Sequence, residues 1–320
     1  PIGPVLFLPG DVFASRLPDP VLQQIEDFND ATISANDCFR PVSRWFDRIT
    51  RPEQIVASLP RAMQVLTDPA DCGPVTLSLC QDVQAEAFDY PESFFAERVW
   101  ITRRPRPDFA ELDAAITLLK GAKKPLIIAG GGTLYSGASV ALGHFAETHG
   151  IPVTETQAGK SALPDAHPLN MGSIGVTGTS ASNDLATEAD VILAVGTRLQ
   201  DFTTGSWALF ANPDVRLIGL NSQAFDAGKH RASPLVCDAL SGLTELDAGL
   251  DGWSAPAAWT ASAKAGKAAW QKTADKARAA TNALLPSDAE VIGAVQRALG
   301  PKAIAVCAAG GLPGELHKLW

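Results

Sequence analysis

Short runs rich in β-branched and aliphatic residues, bounded by Pro and Gly, alternate along this chain with amphipathic stretches of helix length. That alternation constrains the fold most. A strand followed by a helix-length crossover can place the next strand only parallel and beside the first, with the helices covering the sheet faces. The runs lie at residues 5–8, 75–79, 126–129, 153–155, 191–195, 217–220 and 303–307. Between them the pattern predicts helices over 52–66, with Thr50 as cap and Pro52 in the first turn, over 139–149, and over 288–299 behind a Ser287 cap. The expected class is α/β with parallel sheets.

The rhythm breaks twice. Residues 90–106 are rich in Pro, Phe and Arg without any period, as a strap between domains would be. Residues 253–283 are dominated by Ala, Lys and Thr and read as a solvated helix joining two domains, with a further boundary at Leu285-Pro286-Ser287. The chain opens on Pro1-Ile2-Gly3-Pro4 and closes on Leu316-His317-Lys318-Leu319-Trp320, a half-written helix without a cap, so both ends are expected to be cuts within domains.

With 320 residues, 46% hydrophobic and 19% charged, the chain has enough apolar material for two cores. A net charge of -9 argues against nucleic acid, whose phosphates are held by clustered Lys and Arg, and favours a small-molecule partner. The five cysteines are scattered without a CxxC pair, so neither a zinc site nor a disulfide framework is suggested, and a reducing cytoplasm is expected. No apolar run approaches the ~18 residues of a membrane span.

Glycine-rich strand ends are the candidate binding features. Gly130-Gly131-Gly132 follows a buried run and precedes a helix, where backbone N–H groups can meet phosphate, but Tyr135 stands where the dinucleotide fingerprint needs a small residue. A structural turn is therefore favoured there, and Glu155, at the end of the next strand, is a lone acid in the position of a ribose ligand. Gly175 to Thr179 and Gly196-Thr197-Arg198 follow the same logic and leave packing and binding equally open. Residues 303–314 form another predicted strand with a glycine turn, Gly310-Gly311-Leu312, that can either cradle a diphosphate or simply close tightly. The five His residues have no metal or nucleophile-elbow spacing and are expected at the surface or at caps; Asp11, Gln23 and Gln24 are ordinary polar residues unless a strand-end loop puts them to use.

The order of these pieces resembles the thiamine-diphosphate (ThDP)-dependent acetolactate synthase superfamily over essentially the whole chain, and within it the trihydroxycyclohexanedione hydrolase family of myo-inositol breakdown. The segments that carry the resemblance are Pro18-Asp19-Pro20-Val21-Leu22-Gln23-Gln24, Arg40-Pro41-Val42-Ser43-Arg44, Asp47-Arg48-Ile49-Thr50-Arg51-Pro52-Glu53-Gln54, Glu155-Thr156-Gln157-Ala158-Gly159-Lys160-Ser161, and Ala309-Gly310-Gly311-Leu312-Pro313-Gly314 with Leu319-Trp320. Several of them are particular to the hydrolase.

The resemblance implies a partial pyrimidine-binding domain over 1–98, a complete Rossmann-like central domain over 99–250, a helical linker over 251–286, and the first strand and turn of a diphosphate-binding domain over 287–320. It implies ThDP and Mg2+ as cofactors of the intact enzyme, held between subunits of a homodimer or homotetramer. Gly310, Gly311 and Leu312 would contact the diphosphate, and Asp11, Gln23 and Gln24 would face a cyclic diketone that is cleaved to 5-deoxy-D-glucuronate. The activating Glu of the family is expected upstream of Pro1. Its Gly-Asp-Gly metal motif occurs nowhere in these residues, so the chain alone is expected to hold no catalytic residue or metal ligand, to bind no cofactor tightly and to be inactive. Two alternatives are an acetolactate-synthase-like carboligase with FAD near Gly178, Arg198 and Asp201, and a non-catalytic nucleotide-binding module.

Overall fold

The computed structural model describes residues 3–18, 21, 27–281, 284–299, 303–308 and 310–320. It divides into two units, Pro1–Arg103 and Arg104–Trp320.

The first unit carries strands β1 (Leu6–Phe7), β2 (Gly10–Asp11), β3 (Trp45–Ile49) and β4 (Val75–Cys80), with helix α1 (Ile55–Leu66). Strand β4 is the hub, pairing in parallel with β1 and β2 along one edge and with β3 along the other. Its Val75 and Leu77 are fully buried with Ala62 of α1, while Val5, Leu6, Phe7 and Leu8 remain 37–54% exposed. Thr50 does not cap the helical turn at Pro52. The carboxamide of Gln54 reaches back instead and accepts from the backbone N–H groups of Thr50 and Arg51 at 2.7 and 3.0 Å. Strand β3 escaped the hydrophobic pattern because Asp47 and Arg48 sit within it.

The second unit is built on β5 (Pro125–Ala129), β6 (Val153–Glu155), β7 (Asn170–Ser173), β8 (Val191–Val195), β9 (Arg216–Asn221) and β10 (Ser233–Val236). All six pair in parallel in the order β10-β9-β8-β5-β6-β7. The helices are α2 (Phe109–Gly121), α3 (Gly131–Tyr135), α4 (Ser139–His149), α5 (Ser180–Glu188), α6 (Asp201–Thr204), α7 (Ala224–Ala227), α8 (Ala239–Gly249), α9 (Ala257–Arg278), α10 (Asp288–Ala298) and α11 (Gly311–Leu319). Two apolar layers sandwich the sheet. Ile127, Leu193 and Ile218 point to the layer holding Leu119, Phe145 and Leu243; Leu126, Ile128 and Ile192 point to the layer holding Leu185 and Trp259. Central strands buried on both faces are continuous apolar runs, which is why β5 and β8 are legible in the sequence. The edge strand β10 contains Pro234, which only an edge tolerates, and β7 is short and polar, so neither stood out.

Helix α9 differs from the expected solvated linker. Trp259, Ala263 and Ala274 are buried, and the Trp259 indole N–H donates to the Pro125 carbonyl at 2.8 Å, so one face is docked on the second unit. Of its charged residues, Lys267 donates to the Asp165 and His167 carbonyls and Arg278 to the Leu319 carbonyl, so they too are tied into the unit. Helix α10 starts as expected, with Ser287 and Glu290 capping reciprocally, worth about 1 kcal/mol.

The predicted strand over 303–307 does not form. Residues 303–308 join no ladder, and Ile304 and Val306 are 88% and 92% exposed. A strand is completed only by neighbours that take up its N–H and C=O groups, and none of the described strands pairs with this segment. The residues described before the Gly310-Gly311-Leu312 turn, 303–308, are thus largely exposed and form no strand.

Candidate functional site

Helix α11 begins at the glycine turn. Gly310 has φ +146°, a conformation L side chains rarely adopt, and a Cβ built on Gly311 would meet nothing within 4 Å. Gly310, Gly311 and Leu312 are exposed, and no side chain caps the helix. Its first backbone N–H groups are thus presented outward on an uncluttered turn. Thr177 and His317 anchor the helix body, their side-chain oxygen and Nδ1 lying 2.8 Å apart. His317 is 7% exposed and its Nε2 has no hydrogen-bond partner among the described residues. Burial pushes its imidazole down to about 4, with the nearby Lys160 charge acting in the same sense.

Asp11, expected to face substrate, is fully buried at the end of β2. Its carboxylate accepts from Arg48 Nε at 2.6 Å, from Ser78 Oγ at 2.5 Å and from the Val12 N–H at 2.8 Å. Arg48 also donates to Ser34 Oγ and Asp37 Oδ2, both at 2.8 Å, and to the Thr32 carbonyl at 3.0 Å. Asn36 completes the set by donating to the Gly10 carbonyl and to Ser78 Oγ. Burial alone would raise the Asp11 carboxyl, but the bonds from Ser34, Ser78, Arg48 and Val12 outweigh it and hold the group below its usual range. The same balance lowers Asp37 to about 2: burial raises it, and the bonds from Arg40, the Ser34 backbone and Arg48 prevail. Asp11 thus lies inside the first unit and not on an open loop surface. Every lone pair that could meet a ligand is spent on tying β2, β3, β4 and the 3-10 turn Ala35–Val42 together. Gln23 and Gln24 lie outside the described residues.

The glycines of the central sheet are filled by backbone. A Cβ on Gly132 would come within 2.6 Å of the Gly196 Cα, one on Gly130 within 2.5 Å of the Gly196 carbonyl, and one on Gly159 within 2.1 Å of the Ala129 carbonyl. The turns after β5 and β8 therefore pack on one another across the point where strand order reverses, the usual place for a nucleotide. In the 175–179 loop, Asn183 bonds the Gly175 N–H and carbonyl, both at 3.0 Å, and a Cβ on Gly178 would strike its Oδ1 at 2.5 Å. Arg198 is half-buried, and Asp201 is exposed at the start of α6. These glycines serve close approach of main chains.

Two histidines are not at the surface. Besides His317, His149 is 1% exposed, with Nδ1 2.8 Å from the Trp253 carbonyl and Nε2 2.9 Å from Asp247, pinning α4 to α8 and to the segment after it. Among the described residues no cluster of three or more His, Cys, Asp or Glu could hold a metal ion. No helix among them is long and apolar enough to cross a membrane.

Residues 112–246 match the family described as thiamine pyrophosphate enzyme, central domain. The chain is 43% identical over 341 residues to a 3D-(3,5/4)-trihydroxycyclohexane-1,2-dione hydrolase of Bacillus cereus (strain AH820). It is 42% identical over 341 residues to that of Clostridium perfringens (strain 13 / Type A), and 43% over 340 residues to that of Geobacillus thermodenitrificans (strain NG80-2). Each match takes in 99% of this chain and 53% of the relative, so the chain spans about half the length of the curated relatives it matches. Along its length the chain is thus similar to these hydrolases, and its residues 112–246 match the central domain of thiamine pyrophosphate enzymes.

Proposed function

We propose that this chain is part of a ThDP-dependent hydrolase that opens 3D-(3,5/4)-trihydroxycyclohexane-1,2-dione by C–C cleavage to 5-deoxy-D-glucuronate in myo-inositol degradation. The observation that carries the reading is the 43% identity along 99% of the chain to hydrolases named for that substrate. When bound, ThDP supplies the nucleophilic carbon and accepts the electron pair left as the C–C bond breaks. The residues of this chain hold and orient. The bare turn at Gly310 and Gly311 and the outward N–H groups opening α11 suit a diphosphate, because no Cβ stands in the way and helix N-terminal donors favour negative charge. The contact between His317 and Thr177 fixes the angle at which α11 presents those donors.

Mg2+ belongs to the same reading through the family's Gly-Asp-Gly motif. That motif is absent from these 320 residues, and among the described residues no group of three or more His, Cys, Asp or Glu could hold a metal ion. A homodimer or homotetramer is part of the proposal, supported by the exposed apolar residues Val5 to Leu8. A reducing, cytoplasmic setting accords with five free thiols. The test is an assay of diketone consumption with ThDP and Mg2+. A protein of the relatives' full length should turn over and release a sugar acid, and the 320-residue chain should not. Turnover by the short chain, or none by the long one, refutes the proposal.

A further inference from the structure

A cavity of about 600 Å3 opens beside the carboxyl end of β6, within the second unit. Its wall includes Glu155, Lys160, Ser161, Asp165, Asn170 and Arg278. The first three belong to a segment that the sequence singles out and that the proposed reaction leaves without a task.

Most of the polar groups on the wall are already engaged. Arg278 donates to Gln296, to the Leu319 carbonyl and to Asp275. Asn170 donates to the carbonyls of Leu163 and Pro164 and accepts from the Gly172 N–H. Lys160 is different: half-buried, it makes no ion pair or side-chain hydrogen bond among the described residues. Glu155 is 1% exposed, and burial raises its carboxyl above the usual range; the Leu163 N–H, donating to its Oε1 at 2.9 Å, the Ser161 backbone and the Asn170 side chain already occupy it, and the Lys160 charge acts on it from nearby. Asp165 adds an exposed carboxylate at the rim. Ser161 takes φ +74°, a conformation costly for a residue with a Cβ, and such strain is retained where the surrounding structure holds a side chain in a needed place.

One uncommitted cation surrounded by oxygen acceptors selects the ligand. A bare phosphate dianion would meet Lys160 favourably but Asp165 unfavourably, since that group wants O–H donors opposite it. A neutral polyol would leave the ammonium unanswered. We propose that this cavity binds a small hydroxylated monocarboxylate, its carboxylate on the Lys160 ammonium and its hydroxyls on Ser161 and Asp165. The volume suits a six-carbon hydroxy acid.

The inference goes beyond the reaction proposed above and is read without cofactor. Calorimetric titration of the chain with sodium D-gluconate should show binding at one site, tighter than with myo-inositol or inorganic phosphate. Lys160→Met should weaken it by about tenfold or more, as loss of a charge-assisted contact does, and Asp165→Ala by about threefold. Lys160→Gln is the second variant, keeping a polar end should Met disturb the fold, and near-UV circular dichroism confirms that each variant is folded. Absence of gluconate binding, equal or tighter binding of phosphate or inositol, or unchanged affinity in folded Lys160 variants or in Asp165→Ala would overturn the proposal.

Discussion

The Arg48 guanidinium meets the Asp11 carboxylate at 2.6 Å in the first unit, with the Arg side chain 16% exposed and the Asp side chain 0%. The pair is buried on the carboxylate side, so its two halves are not equally dispensable. Removing Arg48 leaves an ionised group without its countercharge, while removing the charge of Asp11 leaves Arg48 with Asp37, at 2.8 Å. Arg48→Met is expected to destabilise the first unit by about 3–5 kcal/mol, and Asp11→Asn by clearly less. Urea unfolding followed by far-UV circular dichroism, with hydrogen exchange at β3 and β4 to locate the change in the first unit, measures both. Equal losses would mean that Asp11 is not held in its place chiefly by Arg48.

The turns after β5 and β8 make a second prediction. Gly196 has φ +60°, and a Cβ there would lie 2.6 Å from the Gly132 Cα. Backbone cannot move aside as a side chain can. Gly196→Val should therefore cost about 2 kcal/mol or more and lower the thermal midpoint of the second unit. Gly121→Ala, where a Cβ meets nothing within 4 Å, is the control and should be neutral or slightly stabilising because it sits in α2. Calorimetry on both variants decides it.

His317 should make the docking of α11 sensitive to acid. Its folded value is depressed, from 6.5 to about 4, because the charged imidazolium is disfavoured in the buried site. The unfolded or undocked state thus binds the proton more readily. The stabilising contribution is complete above about 6.5 and is lost progressively as pH falls towards about 4, up to about 3 kcal/mol in all. The protection of α11 amides against hydrogen exchange, taken relative to the intrinsic rate at each pH, should fall over that window in the parent chain. His317→Gln, which cannot titrate, should remove the pH dependence; an unaltered profile in that variant would reject the assignment.

Gly311 separates cofactor binding from folding. Its φ is not in the left-handed region and a Cβ there touches nothing, so Gly311→Val should leave the stability of this chain within about 0.5 kcal/mol. In a protein of the relatives' full length the same change should weaken ThDP by about tenfold or more, because a branched side chain would occupy the space the diphosphate needs. Fluorescence titration with ThDP and a thermal melt give the two readings. Unchanged affinity would remove this turn from the cofactor site.

Features set by neighbouring residues were legible from the sequence alone. Strands β6 and β8 and helix α4 fall on the residues that apolar periodicity and bounding Gly and Pro predict, and Ser287 caps α10 through the Glu290 three positions on. The parallel α/β class followed from their alternation. What tertiary structure decided is what depends on partners remote in the chain. Residues 303–307 have the composition of a strand yet stay exposed, because composition cannot supply the neighbour that a ladder requires. Tyr135 already favours a structural turn for the glycines after β5, but nothing local names its partner: β8 brings Gly196 against them, 64 positions away from Gly132 in sequence and within backbone contact in space. Asp11 read as a loop acid because nothing in its own segment announces Arg48 and Ser78; only the pairing of β2 and β3 with β4 brings them together, and the cost of burying a carboxylate unpaired then fixes its role.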